Sequence, residues 1–250
     1  MRTANPALNS STFETFGSFP VERSNTMTLQ GTATKTGMLL ILLAASAGYS
    51  WMELRAAGGI QNVIPHLVGG MVVSLLVGVA LWFKREWAAV LAPVYAVAEG
   101  LVLGVISAAY DARFNGIVLQ AVCLTFGTLF SLLTAYKSGL IKPTENFKLG
   151  VVAATGAVCI LYLVNMVMHM CGVQDVGFLH GSGWLAIGIN AVIVVIAALN
   201  LVLDFDFIEE GVNHGAPKYM EWYAGYGLLV TLVWLYIEIL RLLSKLSSRD

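Results

Sequence analysis

Seven long runs of apolar residues make up most of this chain, and they constrain its fold more than any other feature. About 20 consecutive apolar residues suffice for a helix to cross the hydrocarbon core of a bilayer. An open sheet would leave unpaired backbone groups at its edges in lipid, so helices are the structure that fits such runs. The pattern predicts an all-α integral membrane protein whose seven helices cover about residues 37–54, 64–83, 87–110, 117–136, 149–171, 183–203 and 223–246.

The composition supports this fold class and excludes several functions. The chain is 58% hydrophobic and 12% charged, whereas soluble domains are about 25% charged. Its net charge of −1 gives no basis for nucleic-acid binding. The apolar runs nearly fill residues 35–250, so we expect one membrane domain there, with no soluble catalytic domain and no cofactor. Residues 1–34 are polar and predict an irregular cytoplasmic tail.

Basic residues are distributed unevenly between the two ends of the predicted helices. If all seven runs cross the membrane, nine Lys and Arg residues lie on the amino-terminal side and five on the other. Cytoplasmic loops of membrane proteins carry an excess of Lys and Arg. We therefore expect a cytoplasmic amino terminus and an external carboxyl terminus.

Small residues recur every four positions in two of the runs. Gly70, Ser74 and Gly78 do so in the second run, and Gly100 and Gly104 in the third. Such spacing lets helix backbones approach closely in a membrane. The pattern predicts helix packing and gives no indication of chemistry.

Three acidic residues stand apart from those of the polar leader and connections: Glu99 and Glu238 lie inside apolar runs, and Asp204 marks the end of the sixth run. Carboxylates within a membrane are rare and face a polar cavity or a partner. Asn190, Ala197 and Asp204 are spaced by seven, which places them on one face of the sixth helix. A stripe of small, polar and finally charged residues runs along the seventh helix and is not expected to face lipid: Gly227, Thr231, Trp234, Glu238, Arg241 and Lys245.

Three motifs resemble the Bax inhibitor-like family, the transmembrane BAX inhibitor motif superfamily. They are AEGLVLG in the third run, LNLVLDFDFIEEG leaving the sixth, and WLYIEILRLLSKL in the seventh. The leader MRTANPAL is similar to the YccA-related bacterial branch, which implies the bacterial inner membrane. The resemblance implies six helices around a central seventh, and a pH-sensitive calcium leak controlled by one acid on each of helices six and seven.

The resemblance also implies roles for individual residues. Asp204 matches the first acid of the pair, and Glu238 matches the second, where the family more often has Asp. The pair would be the pH sensor, part of the ion pathway and the ligands of calcium. Glu99 and the additional Asp206 are further candidates for the ion pathway, although Glu99 fits a lone protonated acid bonded to a neighbouring helix equally well. Arg85 would supply the basic latch of the closed state, or would simply mark a positive cytoplasmic turn.

Two buried carboxylates close together repel when both are ionised, so they tend to share a proton. We therefore expect Asp204 and Glu238 to approach within a few ångströms. Calcium takes six to eight oxygen ligands, which such a pair, carbonyls and waters could provide. A structural alternative stays open, in which Glu238 pairs with Arg241 and Asp204 caps the exit of the sixth helix.

Other classes of function are less well supported by the sequence. The four His residues show no HExxH or HxxxH spacing, and no GxSxG occurs, so we expect no enzyme. A proton-coupled transporter would show an internal repeat with broken helices, and no convincing repeat is present. A regulatory membrane protein with inert acids remains the alternative. The expected partners are the lipid bilayer, calcium and protons, and no protein partner is indicated.

Overall fold

The computed structural model describes residues 25–56, 64–172, 181 and 183–248. Seven helices within these ranges are long and apolar enough to cross a membrane. We number them α1 to α7, and they cover Leu29–Ala56, Ile64–Phe83, Ala88–Asp111, Ile117–Lys137, Glu145–Met170, Trp184–Asn213 and Met220–Ser247. The expected all-α, seven-helix membrane fold is confirmed.

Helix α1 begins eight residues before the predicted apolar run, so the last part of the predicted tail is helical. The hydroxyl of Thr28 accepts a hydrogen bond from the backbone N–H of Gly31 at 3.0 Å, which caps the first turn. The hydroxyls of Thr32 and Thr36 donate to carbonyls one turn back, at 2.9 Å in both cases. The polar side chains are thus satisfied within the helix, which hydropathy alone does not show. Residues 1–24 of the predicted tail lie outside the described residues.

Helix α6 extends ten residues past its predicted end and includes most of the acidic motif after it. Leu201, Phe205 and Ile208 are buried and recur at helical spacing, so one face stays apolar through the acidic stretch. The helix ends at Asn213, and Gly215 adopts a left-handed conformation with φ of 66° just beyond it. Asp204 therefore lies in the body of α6, and the alternative in which it caps the helix exit is wrong.

The chain forms two compact units, and α7 contributes to both. The first unit contains the described residues up to Val105 together with Asp206–Leu229, and the second contains Ile106–Phe205 with Val230–Asp250. Helix α7 has the largest buried share of the seven helices, 56% of its most apolar window against 11% for α1. Such burial is what the predicted central position of α7 requires, and that position stays a prediction.

Close helix packing in the first unit occurs where the small residues predicted it. A Cβ placed on Gly100 would lie 1.9 Å from Oγ of Ser46, and one on Gly104 would lie 2.0 Å from Oγ of Ser50. A Cβ on Gly70 would lie 2.7 Å from the carbonyl oxygen of Ala98. Glycine is therefore needed where α3 meets α1 and α2.

Candidate functional site

The second unit contains a buried carboxylate held by residues from three helices. Glu238 on α7 is 1% exposed. Tyr162 on α5 donates its hydroxyl to Oε1 at 2.7 Å, and Asn190 on α6 donates its amide to Oε2 at 2.9 Å. These contacts confirm that the polar stripe of α7 faces protein at this position.

Arg241, one turn further along α7, supplies the counter-charge of Glu238. Its Nη1 donates to the two carboxylate oxygens at 3.1 and 3.3 Å, and to the hydroxyl of Tyr162 at 2.6 Å. The guanidinium also lies over the Tyr162 ring, 5.4 Å from its centroid. The side chain of Arg241 remains 33% exposed, whereas that of Glu238 is 2% exposed. The ion pair on which the structural alternative for Glu238 depends is therefore present, and the absence of a further role for this acid stays a prediction.

Asp204 lies on α6 in the same unit and has a different environment. The hydroxyl of Thr231 on α7 is its hydrogen-bond partner. Its Oδ2 atom is buried and has no hydrogen-bond partner among the described residues. The same is true of Oδ1 of Asn190, whose amide nitrogen is used on Glu238. Two buried acceptor oxygens without partners thus lie on the face of α6 that the spacing of seven predicted.

The two acids are not in contact in this structure. Asp204 bonds Thr231, and Glu238 lies seven residues beyond Thr231 on α7. Seven residues span about 10 Å along a helix axis. The expected approach within a few ångströms is therefore not seen. The physical reason is that Asp204 lies in the body of a long α6, which pairs it with the middle of α7 and pairs Asn190 with Glu238.

A sequence model of one family, described as Bax inhibitor 1 like, matches residues 5–248. The chain belongs to this family. The match spans all seven helices, so the resemblance carried by the motifs of the third, sixth and seventh runs is confirmed. Neither a curated protein nor a solved structure matches the chain. Assignment to the YccA-related branch stays a prediction, and within the Bax inhibitor 1 like family the chain is a multi-pass membrane protein.

The other residues that the Bax inhibitor-like resemblance singled out lie elsewhere. Glu99 is half-buried in the first unit and hydrogen-bonds Ser74. Asp206 is two residues beyond Asp204, which turns it about 200° around α6, so the two acids do not share a face. Arg85 lies over the ring of Tyr223, 5.5 Å from the centroid. Its role as a latch stays a prediction, and Arg241 is a basic residue that contacts the candidate acid Glu238.

A fourth acid, Glu221, was missed by the sequence analysis. It lies in the first turn of α7, is 0% exposed, and pairs with Lys35 and Lys218. The spacing of Lys218 and Glu221 by three was a signal in the sequence. No local pattern predicts the contact with Lys35, because Lys35 lies on α1, 186 positions from Glu221.

The second unit offers a cation several oxygen atoms but no preformed cage. Among the described residues, no group of three or more His, Cys, Asp or Glu side chains could hold a metal ion. The side chains of Asn190 and Glu238 lie together, with 2.9 Å between the amide nitrogen and Oε2, and Asp204 lies apart from them on α6. Such an arrangement can interact with a cation that passes, since weak and multiple binding allows an ion to leave as well as enter.

Proposed function

We propose that this chain is a passive cation leak of the membrane that conducts calcium and responds to pH. The observation that carries the proposal is a pair of buried acceptor oxygens that have no hydrogen-bond partner among the described residues, Oδ2 of Asp204 and Oδ1 of Asn190. Buried polar groups are normally satisfied, so such exceptions require an explanation. Calcium is bound by oxygens of this kind. Membership of the Bax inhibitor 1 like family supports the same function, because the resemblance to that family implies a pH-sensitive calcium leak.

Arg241 acts in this proposal as an internal counter-ion that a cation must replace. The guanidinium and a cation compete for the same carboxylate oxygens of Glu238. Arg241 is one-third exposed, so its side chain can rotate toward the polar surface while Glu238 stays in place. Tyr162 bonds both groups and holds them in the paired arrangement. This state is the resting state of the leak.

Asp204 gives the proposed pH response. Among the described residues, Thr231 is the hydrogen-bond partner of its carboxyl and no basic side chain is paired with it, so its charge depends on solution pH and on cations. A proton and a calcium ion compete for the same oxygens, because the metal requires the ionised form. Acidification therefore neutralises Asp204 and reduces flux, and alkalinisation restores it.

We also propose an orientation and a membrane for the chain. The amino terminus is cytoplasmic, as the excess of nine basic residues over five indicates, and the membrane is the bacterial inner membrane. No catalytic reaction is assigned to the chain. Protons act as competitors of calcium and are not transported in exchange for it.

The test is calcium flux into liposomes that contain the purified protein, measured from about pH 5 to about pH 8, because protons and calcium compete for carboxylate oxygens. Passive flux down the calcium gradient that rises with pH supports the proposal. Accumulation of calcium against its gradient in exchange for protons would show a transporter. Complete absence of flux would overturn the leak and favour a regulatory membrane protein.

A further inference from the structure

Residues 25–28, just before α1, form a short segment that lies against the turn between α6 and α7; we call it the strap. The backbone N–H of Met27 donates to the carbonyl of Ala216 at 2.7 Å, and that of Lys218 donates to the carbonyl of Asn25 at 3.1 Å. Between these bonds, Thr26 and Pro217 form an antiparallel bridge. The strap therefore binds the chain immediately before α7 by backbone contacts.

One side chain anchors the strap in the interior. Met27 is 2% exposed. A Cβ placed on Gly211, near the end of α6, would lie 3.1 Å from Sδ of Met27. The absence of a side chain at Gly211 thus makes room for the thioether. Met is unbranched and flexible, so its side chain fills the space beside Gly211.

The carboxylate of Glu221 holds the strap against the start of α7 through hydrogen bonds and ion pairs. Its Oε1 atom accepts from the backbone N–H of Thr28 at 2.9 Å, from the Thr28 hydroxyl at 2.9 Å and from Nζ of Lys218 at 2.8 Å. Its Oε2 atom accepts from Nζ of Lys35 on α1. A Cβ placed on Gly31 would lie 2.2 Å from Oε1, so the carboxylate lies directly on the first turn of α1. Helix amino termini favour a negative charge, and here one carboxylate lies at the start of two helices.

The ion pairs of Glu221 are poorly suited to raising stability and well suited to fixing one arrangement. Removing charges from water costs about as much as a buried ion pair returns, whereas losing one partner is strongly destabilising. Buried ionic groups are therefore best attested as devices that set a register or a switch. The ion pairs of Glu221 fix α1, the strap and the start of α7 in one arrangement. Helix α7 also carries Glu238 further along.

We propose that the strap is a built-in restraint on the leak: it holds the start of α7 in place, and its release increases cation flux. The inference rests on the proposed function for its effect on flux. Docking of the strap and its dependence on Glu221 stand on geometry alone. A reversible clamp at one end of α7 controls how far the helix can shift or rotate.

The first experiment measures docking without any flux. Cys123, Cys159 and Cys171 are replaced by Ser, Met27→Cys is added, and the rate of maleimide labelling is measured in detergent micelles. Glu221→Gln removes the charge that holds the strap, and we expect labelling to become about tenfold faster or more. Glu145→Gln is the matched control, since Glu145 is also in the first turn of its helix and pairs with a Lys three residues away but is exposed. Equal labelling rates in the Glu221→Gln and Glu145→Gln proteins would overturn the proposal.

The second experiment locks the strap covalently. Thr26 and Pro217 face each other between the two flanking hydrogen bonds, and such non-hydrogen-bonded antiparallel pairs have Cα atoms about 4.5 Å apart. A disulfide fits this separation, so Thr26→Cys with Pro217→Cys can be oxidised without moving the backbone. We expect calcium flux into liposomes to fall severalfold on oxidation and to recover on reduction. A protein that conducts calcium equally in both states overturns the strap and leaves the leak standing, whereas absence of flux in the unsubstituted protein overturns the leak and with it any effect of the strap on flux.

Discussion

Glu238 and Arg241 form an ion pair within one turn of α7, with 3.1 Å between Nη1 and Oε1, yet the two partners differ in exposure. Glu238 is enclosed by residues of α5, α6 and α7, whereas Arg241 reaches the surface with a third of its side chain. A charge that can reach water loses little when its partner disappears, and an enclosed charge cannot escape in this way. The two residues are therefore not equivalent, and their replacement should have different consequences.

Arg241→Gln should destabilise the protein much more than Glu238→Gln does. Removing Arg241 leaves a buried carboxylate without a counter-charge, which costs about 3–5 kcal/mol when the charge is retained. Removing the charge of Glu238 leaves Arg241 free to turn toward water, and the amide still accepts from Tyr162. Thermal unfolding in detergent checks the order of the two variants. The double replacement should be more stable than Arg241→Gln alone, and equal losses in the two single variants would contradict the asymmetry.

Tyr162→Phe should destabilise the same cluster by a smaller amount. The change removes the donor to Glu238 at 2.7 Å and the acceptor for Arg241 at 2.6 Å while the ring remains. A lost partner of a buried polar group costs about 1–3 kcal/mol. Tyr49→Phe is the control, because Tyr49 is 54% exposed and lies in the other unit. Denaturation of both variants under identical conditions checks the prediction. Equal stability of the Tyr162→Phe and Tyr49→Phe proteins would contradict it.

The sequence predicted the helices well and the environment of the acids poorly. Apolar runs gave all seven helices because hydropathy reports contact with lipid directly. The same signal placed the end of α6 too early, since the acidic residues after Leu203 hid the buried stripe of Leu201, Phe205 and Ile208. The length of α6 determines which residues of α7 lie beside Asp204. The partners of Glu238 lie 76 and 48 residues away on other helices, and no local pattern predicts which of them face each other.

Gly100→Ala should destabilise the contact between α1 and α3. The new methyl group would lie 1.9 Å from Oγ of Ser46 and 2.4 Å from the carbonyl oxygen of Leu43, so the helix backbones must separate. Overpacking of this kind costs about 1–3 kcal/mol. Gly156→Ala is the control, because a Cβ on Gly156 meets no atom within 4 Å and Ala favours the helix. The unfolding temperature should fall in Gly100→Ala and rise in Gly156→Ala. A Gly100→Ala protein that is more stable than the unsubstituted protein would show that α1 and α3 can accommodate the methyl group.

The connection between α4 and α5 should be cytoplasmic and the end of α7 external. The basis is the excess of basic residues on the amino-terminal side, which orients membrane proteins at insertion. Single cysteines at Ser138 and Ser248, in a chain without native cysteines, can be labelled in intact cells with an impermeant maleimide. Only the residue after α7 should react before the cells are opened. Reaction of both positions from the same side would contradict seven crossings.

Asp204→Asn should remove the pH response of calcium flux. The amide keeps the size of the side chain and a hydrogen bond with Thr231, but it can neither bind a proton nor attract a cation by charge. Flux should therefore be low and flat with pH, whereas in the unsubstituted protein it rises with pH as protons leave the site. Glu99→Gln is the control, since Glu99 lies in the other unit, and it should leave the pH response standing. Because Asp204 and Glu238 are not in contact, the changes in the free energy of unfolding caused by Asp204→Asn and Glu238→Gln should add in the double variant to within about 0.5 kcal/mol. If Asp204→Asn leaves the pH response of flux unchanged, another group is the pH sensor. Strong non-additivity of the stability changes would show that the two acids come into contact in another state.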